Sequence, residues 1–71
     1  METFQKLKTE AEKIAGKLKA KVQKSGYVEN LGASEERNFK SKTMDAMSDG
    51  KINYQEKIKL DNYLSDLIQS V

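Results

Sequence analysis

Asp45-Ala46-Met47-Ser48-Asp49-Gly50-Lys51-Ile52-Asn53-Tyr54-Gln55-Glu56 is the stretch from which the fold of the chain can be read. Asp49-Gly50 is a turn dipeptide, because Gly adopts the left-handed backbone that closes a helix and Asp tolerates the approach to it. Asn53-x-x-Glu56 has the form of a capping box: the Asn side-chain oxygen accepts from the Glu56 N–H while the Glu56 carboxylate reaches back to the N–H of Asn53. One helix is therefore expected to end just before Gly50 and another to begin at Asn53.

The same offsets resemble the calcium loop of the EF-hand family. That twelve-residue loop takes side-chain oxygens at positions 1, 3 and 5, a Gly at 6, a backbone carbonyl at 7, a polar residue at 9 and a bidentate Glu at 12. With Asp45 at the first position, Asp49, Gly50, the Lys51 carbonyl, Asn53 and Glu56 fall on the matching places, and Ile52 takes the aliphatic position between them. Position 3 is Met47, whose thioether is a soft, weak ligand for an oxygen-seeking cation. The resemblance implies Ca²⁺ held by Asp45, Asp49, Asn53, Glu56 and the Lys51 carbonyl. Helix, tight turn and capped helix account for nearly the same letters without a metal. Outside the loop the EF-hand pattern fits at Met44, Leu60 and Leu64 but not at Lys40, Ser41, Lys57 and Asp61.

Working back from the corner, Ser34-Glu35-Glu36 reads as a hydroxyl cap followed by two acids that complement the helix dipole. A helix over about 34–48 would bury Phe39, Thr43, Ala46 and Met47 and leave Met44 off that face. Working forward, a helix over about 53–69 would present Leu60, Tyr63, Leu64, Leu67, Ile68 and Val71 to the core. Tyr54 and Ile58, one turn apart, point away from it and, with Met44, mark a contact surface for a partner. A DNA-reading corner is disfavoured, because its buried positions would fall on Asp45, Asp49 and Lys51.

The strongest periodicity lies at the start of the chain. Phe4, Leu7, Ala11, Ile14, Ala15, Leu18 and Val22 recur at three and four residues, which keeps one apolar stripe along a helix over about 3–24. Lys24-Ser25-Gly26 is its stop signal. A stripe this long needs a long cover: two shorter helices in succession, or a second copy of the chain. Tyr27 to Ala33 is a connector, with apolar contacts available from Tyr27, Val28 and Leu31. Lys6, Lys13, Lys17 and Lys24 form a basic face roughly opposite the stripe, suited to phosphates or an acidic partner, and equally the ordinary composition of a solvated face. Residues 1–26 carry a net +4 and residues 27–71 a net −2.

Seventy-one residues bound a small core, and the absence of Cys and His removes disulfides, thiolate or imidazole metal sites and Ser-His or Cys-His catalysis. No apolar run is long enough to span a membrane, and the N-terminus lacks the pattern of a signal peptide, so a cytoplasmic setting is expected. With no Pro and 34% charged residues, the chain is expected to be all-α: a small three-helix bundle, one domain over 1–71, with a long N-terminal helix and a C-terminal helical hairpin. The expected function is that of a non-enzymatic intracellular binding or regulatory module acting through protein–protein contacts, self-association to a homodimer included, with no cofactor. One alternative is a divergent EF-hand-type Ca²⁺ binder using 45–56, which, holding a single hand, would dimerise or bind weakly. The other is an adaptor that sets the lysine face on nucleic acid or an acidic partner.

Overall fold

A computed structural model describes residues 2–71 as three helices: α1 (Glu2–Ser25), α2 (Ala33–Ser48) and α3 (Tyr54–Gln69). The all-α bundle expected from the sequence is what forms. Both α1 and α2 pack chiefly on α3, and the molecule measures 40 × 18 × 14 Å, its length set by α1. Leu7, Ala11, Phe39, Ala46, Ile52, Leu60 and Leu64 make the central cluster, with Phe4, Ile14, Met47, Tyr63, Leu67 and Ile68 packed around it. The shorter helices cover α1 side by side rather than in succession.

Side-chain contacts fix the directions. Thr43 Oγ1 donates to Asp61 Oδ1 at 2.7 Å and Ser65 Oγ to Glu36 Oε1 at 2.6 Å, so α2 and α3 run antiparallel. Tyr63 Oη donates to Glu12 Oε2 at 2.7 Å, and Leu18 and Ile68 meet against Gly32, so α1 and α3 run parallel. Lys42 of α2 pairs with Glu10 of α1. On this register α3 ends near the level of Leu18, and the last turns of α1, with Lys21, Val22 and Lys24, extend beyond it. The Ser65 hydroxyl holds the Glu36 carboxyl below its ordinary value; partial burial opposes this, and Lys40, 3.4 Å away, adds to the lowering. A depressed carboxyl stabilises the fold above the ordinary carboxylate range, and that contribution is lost as pH falls through the lowered value.

Three features differ from the sequence reading. Ser34 is not the N-cap of α2. The helix begins at Ala33 behind Gly32, with no side-chain cap, because the Asn30–Ala33 turn closes first (Ala33 N–H to Asn30 carbonyl, 3.1 Å) and the Gly32 carbonyl accepts from Glu36 N–H at 2.7 Å. Tyr27, expected to make an apolar contact, is 89% exposed. The buried face of α3 is rotated toward α2: Lys57 and Asp61 are buried with Leu60 and Leu64, while Tyr63, Leu67, Ile68 and Val71 are only half-buried.

That rotation is tolerable because the charges are paired. Lys57 Nζ donates to Asp61 Oδ2 at 2.5 Å, and the other carboxylate oxygen takes the Thr43 hydroxyl, so no buried side-chain N or O atom is left without a partner among the described residues. Thr43 has one hydroxyl proton and two acceptors within reach, Asp61 and the Lys40 carbonyl at 2.9 Å. The charged acceptor makes the stronger bond, which gives Asp61 first claim on it.

Two predictions follow from burial and backbone. Asp61→Ala leaves Lys57 buried and unpaired and should cost about 3 kcal/mol in urea denaturation, whereas Lys57→Met with Asp61→Leu should be neutral or stabilising, Thr43 turning to the Lys40 carbonyl. A cost near zero for Asp61→Ala would mean that the pair is solvated. Gly50 (φ 75°) has open space around an added Cβ, so Gly50→Ala should cost about 1 kcal/mol from the left-handed backbone alone. At Gly32 (φ 77°) the Cβ would stand 2.8 Å from Leu18 Cδ1 and 3.0 Å from Ile68 Cδ1. Gly32→Ala should therefore cost about 1–3 kcal/mol more than Gly50→Ala, and equal costs would show that this close approach is slack.

Candidate interaction surfaces

The corner between α2 and α3 is built from two motifs in series. Gly50 N–H donates to the Met47 carbonyl at 3.0 Å and Lys51 N–H to the Ala46 carbonyl at 2.9 Å, the pair of bonds that closes a helix on a left-handed glycine. Ile52 then drops into the core, 3% exposed. Asn53 Oδ1 accepts from Glu56 N–H at 2.8 Å, and Glu56 Oε1 accepts from Asn53 N–H at 3.0 Å, so the capping box is complete.

This geometry places the loop residues singled out by their spacing on one corner without converging their oxygens. Asp45, Met47 and Ser48 are still helical, and Asp45 offers its carbonyl to Asp49 N–H at 2.9 Å. Asn53 and Glu56 are committed to each other's backbone. Asp45, Asp49 and Lys51 border an open depression shared with Lys6 and the Glu10–Lys42 pair, so three ammonium groups balance the three carboxylates there. Among the described residues no group of three or more acidic side chains is placed to hold a metal ion. In this conformation the donor set does not fit Ca²⁺, which requires six or more converging oxygens.

A second surface lies on the α2/α3 side remote from α1. Met44 is 46% exposed, Tyr54 66% and Ile58 37%. On α3, Tyr54 and Ile58 project on the side of Asp61 and Ser65, which contact α2, and away from Tyr63, which contacts α1. On α2, Met44 projects away from Lys42, which reaches toward α1. The Thr43–Asp61 and Glu36–Ser65 register sets Met44 level with Ile58. The three apolar side chains proposed from sequence as a contact surface therefore share one face.

The basic face is a third feature. Lys6, Lys13, Lys17 and Lys24 are all exposed, and at 100° per residue they fall within about 40° of one another, on the side of α1 marked by Glu10 and its partner Lys42. The acids of α1 are all engaged within the molecule: Glu2 with Lys6 at 3.3 Å, Glu10 with Lys42, and Glu12 with the Tyr63 hydroxyl. The Glu12 bond raises the Tyr63 pKa, with burial and the Glu12 charge acting in the same sense. Lys8 lies over the Tyr63 ring, 5.5 Å from its centroid. None of the ion pairs among the described residues involves Lys13, Lys17, Lys19, Lys21 or Lys24.

Among the described residues no helix is long and apolar enough to cross a membrane. Comparison with protein-family models, with curated proteins and with solved structures finds no match.

If the corner is a capped turn, Glu56→Ala should lower stability by about 1 kcal/mol in the absence of any divalent ion. The thermal midpoint of the unaltered protein should then be the same with and without millimolar Ca²⁺. A rise that Glu56→Gln abolishes would instead assign the loop to the metal through linkage.

Proposed function

We propose that this chain is a small non-enzymatic intracellular binding module that acts by protein–protein contact through the α2/α3 face. The observation that carries this reading is the shared placement of Met44, Tyr54 and Ile58. A tyrosine and two flexible or branched apolar side chains stand together on the solvent side of a 71-residue chain whose mean hydropathy is −0.80. Isolated exposed apolar residues are ordinary, but a cluster on one face costs solubility and is retained where a partner covers it.

The chemistry available there suits contact rather than catalysis. The chain offers no imidazole or thiol, and its buried ion pair is locked in the α2/α3 seam with both carboxylate oxygens occupied. Tyr54 has the character of an interface anchor, since a rigid ring brings a large apolar area and a hydroxyl at small entropic cost. It sits next to the capping box, where the backbone is pinned, so ordering it on binding requires little rearrangement of the helix start.

The test is a double substitution, Tyr54→Ala with Ile58→Ala. Because both side chains are exposed, helical circular dichroism should be unchanged and the unfolding free energy should fall by no more than about 1 kcal/mol for the two substitutions together. Affinity capture of a partner, or the concentration dependence of the diffusion coefficient if the partner is a second copy, should be lost. A double variant that unfolds would show these residues to be core, and one that associates as before would remove this face from consideration.

A further inference from the structure

The basic row is not uniform along α1. From Lys13 to Lys24 the helix holds five lysines and no acid, and none of the five takes part in an ion pair among the described residues. Preference for cations at a helix C-terminus accounts only for those in the last turn, since the dipole effect fades beyond it. Lys13 and Lys17 lie further back. The overhang of α1 past α3 carries the far end of this row away from the acids of α3.

At the end of the row stands Tyr27, whose ring is almost wholly exposed although its neighbours Val28 and Leu31 turn inward. It borders a partly apolar notch of about 330 Å³ formed where α1 outruns α3, lined also by Val22, Val28, Leu31, Ile68 and Val71 together with the polar Asn30 and Gln69. An exposed aromatic beside a partly apolar recess, at the end of a row of free ammonium groups, has the components of a stacking platform on an electrostatic track.

We propose that this end of α1, with Tyr27 and its notch, binds single-stranded nucleic acid, phosphates lying along Lys13, Lys17, Lys21 and Lys24 and a base against Tyr27. The site is separate from the α2/α3 face and does not depend on it. A bilayer is disfavoured because the apolar stripe of α1 is already spent on the core, with Leu7, Ala11 and Leu18 buried, leaving no face to insert. A duplex would meet the lysines through its phosphates but keep its bases stacked on one another, leaving none for Tyr27. An acidic peptide would satisfy the lysines and leave Tyr27 and the notch without a role.

The experiment is fluorescence anisotropy of a labelled oligothymidylate about a dozen nucleotides long, titrated with the full chain across a salt series. Binding should weaken steeply with salt, and Lys17→Gln with Lys24→Gln should reduce the logarithmic salt slope by about 1.4. Tyr27→Ala should weaken the oligonucleotide about tenfold while leaving inorganic polyphosphate, which has no base, unaffected. All three positions are exposed, so circular dichroism should be unchanged. Tyr54→Ala with Ile58→Ala should bind the oligonucleotide as the unaltered chain does, which keeps this site distinguishable from the protein-binding face. Absence of binding at low salt, indifference to Tyr27→Ala, or loss of binding in the Tyr54/Ile58 variant would each overturn the proposal.

Discussion

The seam between α2 and α3 is organised by one carboxylate. Asp61 takes the Thr43 hydroxyl on one oxygen and the Lys57 ammonium on the other, and it does so among Leu60, Leu64 and Phe39. Contacts between Leu, Ala and Phe side chains are non-directional, so an apolar seam alone would leave neighbouring registers close in energy. Such slippage is opposed because moving α2 by a turn would carry the Thr43 hydroxyl away and leave one buried oxygen of Asp61 without its partner, although Lys57, on the same helix, would stay paired. The Glu36–Ser65 contact and the level of Met44 beside Ile58 belong to the same register. The contribution of Asp61 is to register more than to net stability, since desolvation of the pair offsets much of its attraction.

The other end of the bundle is set by a steric constraint rather than a polar one. Gly32 lies so close to Leu18 and Ile68 that the connector, α1 and α3 meet at a point where a side chain would intrude. This contact fixes how far α1 runs beside α3 and hence how much of it projects. The projecting turns keep Val22 half-buried under Val28 and Leu31, while their lysines stay in water. One glycine thus determines both the edge of the core and the extent of the basic overhang.

The parts of this architecture legible in sequence are those controlled by short-range chemistry. Helix periodicity from Phe4 to Val22, the stop at Gly26 and the Asn53–Glu56 capping box each depend on residues within a turn or two, and all three form. Ser34 misled because a hydroxyl before two acids resembles a cap, whereas the start of α2 was decided by a backbone turn anchored at Asn30, with positive φ there. Lys57 and Asp61 are absent from the core face expected of α3, although they share a stripe with Leu60 and Leu64 at helical spacing. Their pairing at i and i+4 was the available signal, and the third member, Thr43, came from another helix. Exposure of Tyr27 had no local signal, since it depends on how the connector crosses the overhang. Met44, Tyr54 and Ile58 fall off the apolar stripes by count alone, but only the α2/α3 register places them on one face.

Charge is distributed so that these surfaces remain distinct. The acids of α1 all lie in its first half, where Lys6, Lys42 and Tyr63 occupy them, and its C-terminal half holds lysines alone among charged residues. Residues 1–26 carry a net +4 and residues 27–71 a net −2, so the excess positive charge lies on α1 and the excess negative charge on the rest of the chain. Such asymmetry orients a charged partner before contact and acts on association rate more than on final affinity. The Met44/Tyr54/Ile58 face, on the side of α2 and α3 away from α1, would rely on desolvation of apolar area, which is indifferent to salt at these distances. Because ions would screen contacts to the lysine row and not those to the apolar face, ionic strength would separate the two proposed faces even on the same molecule.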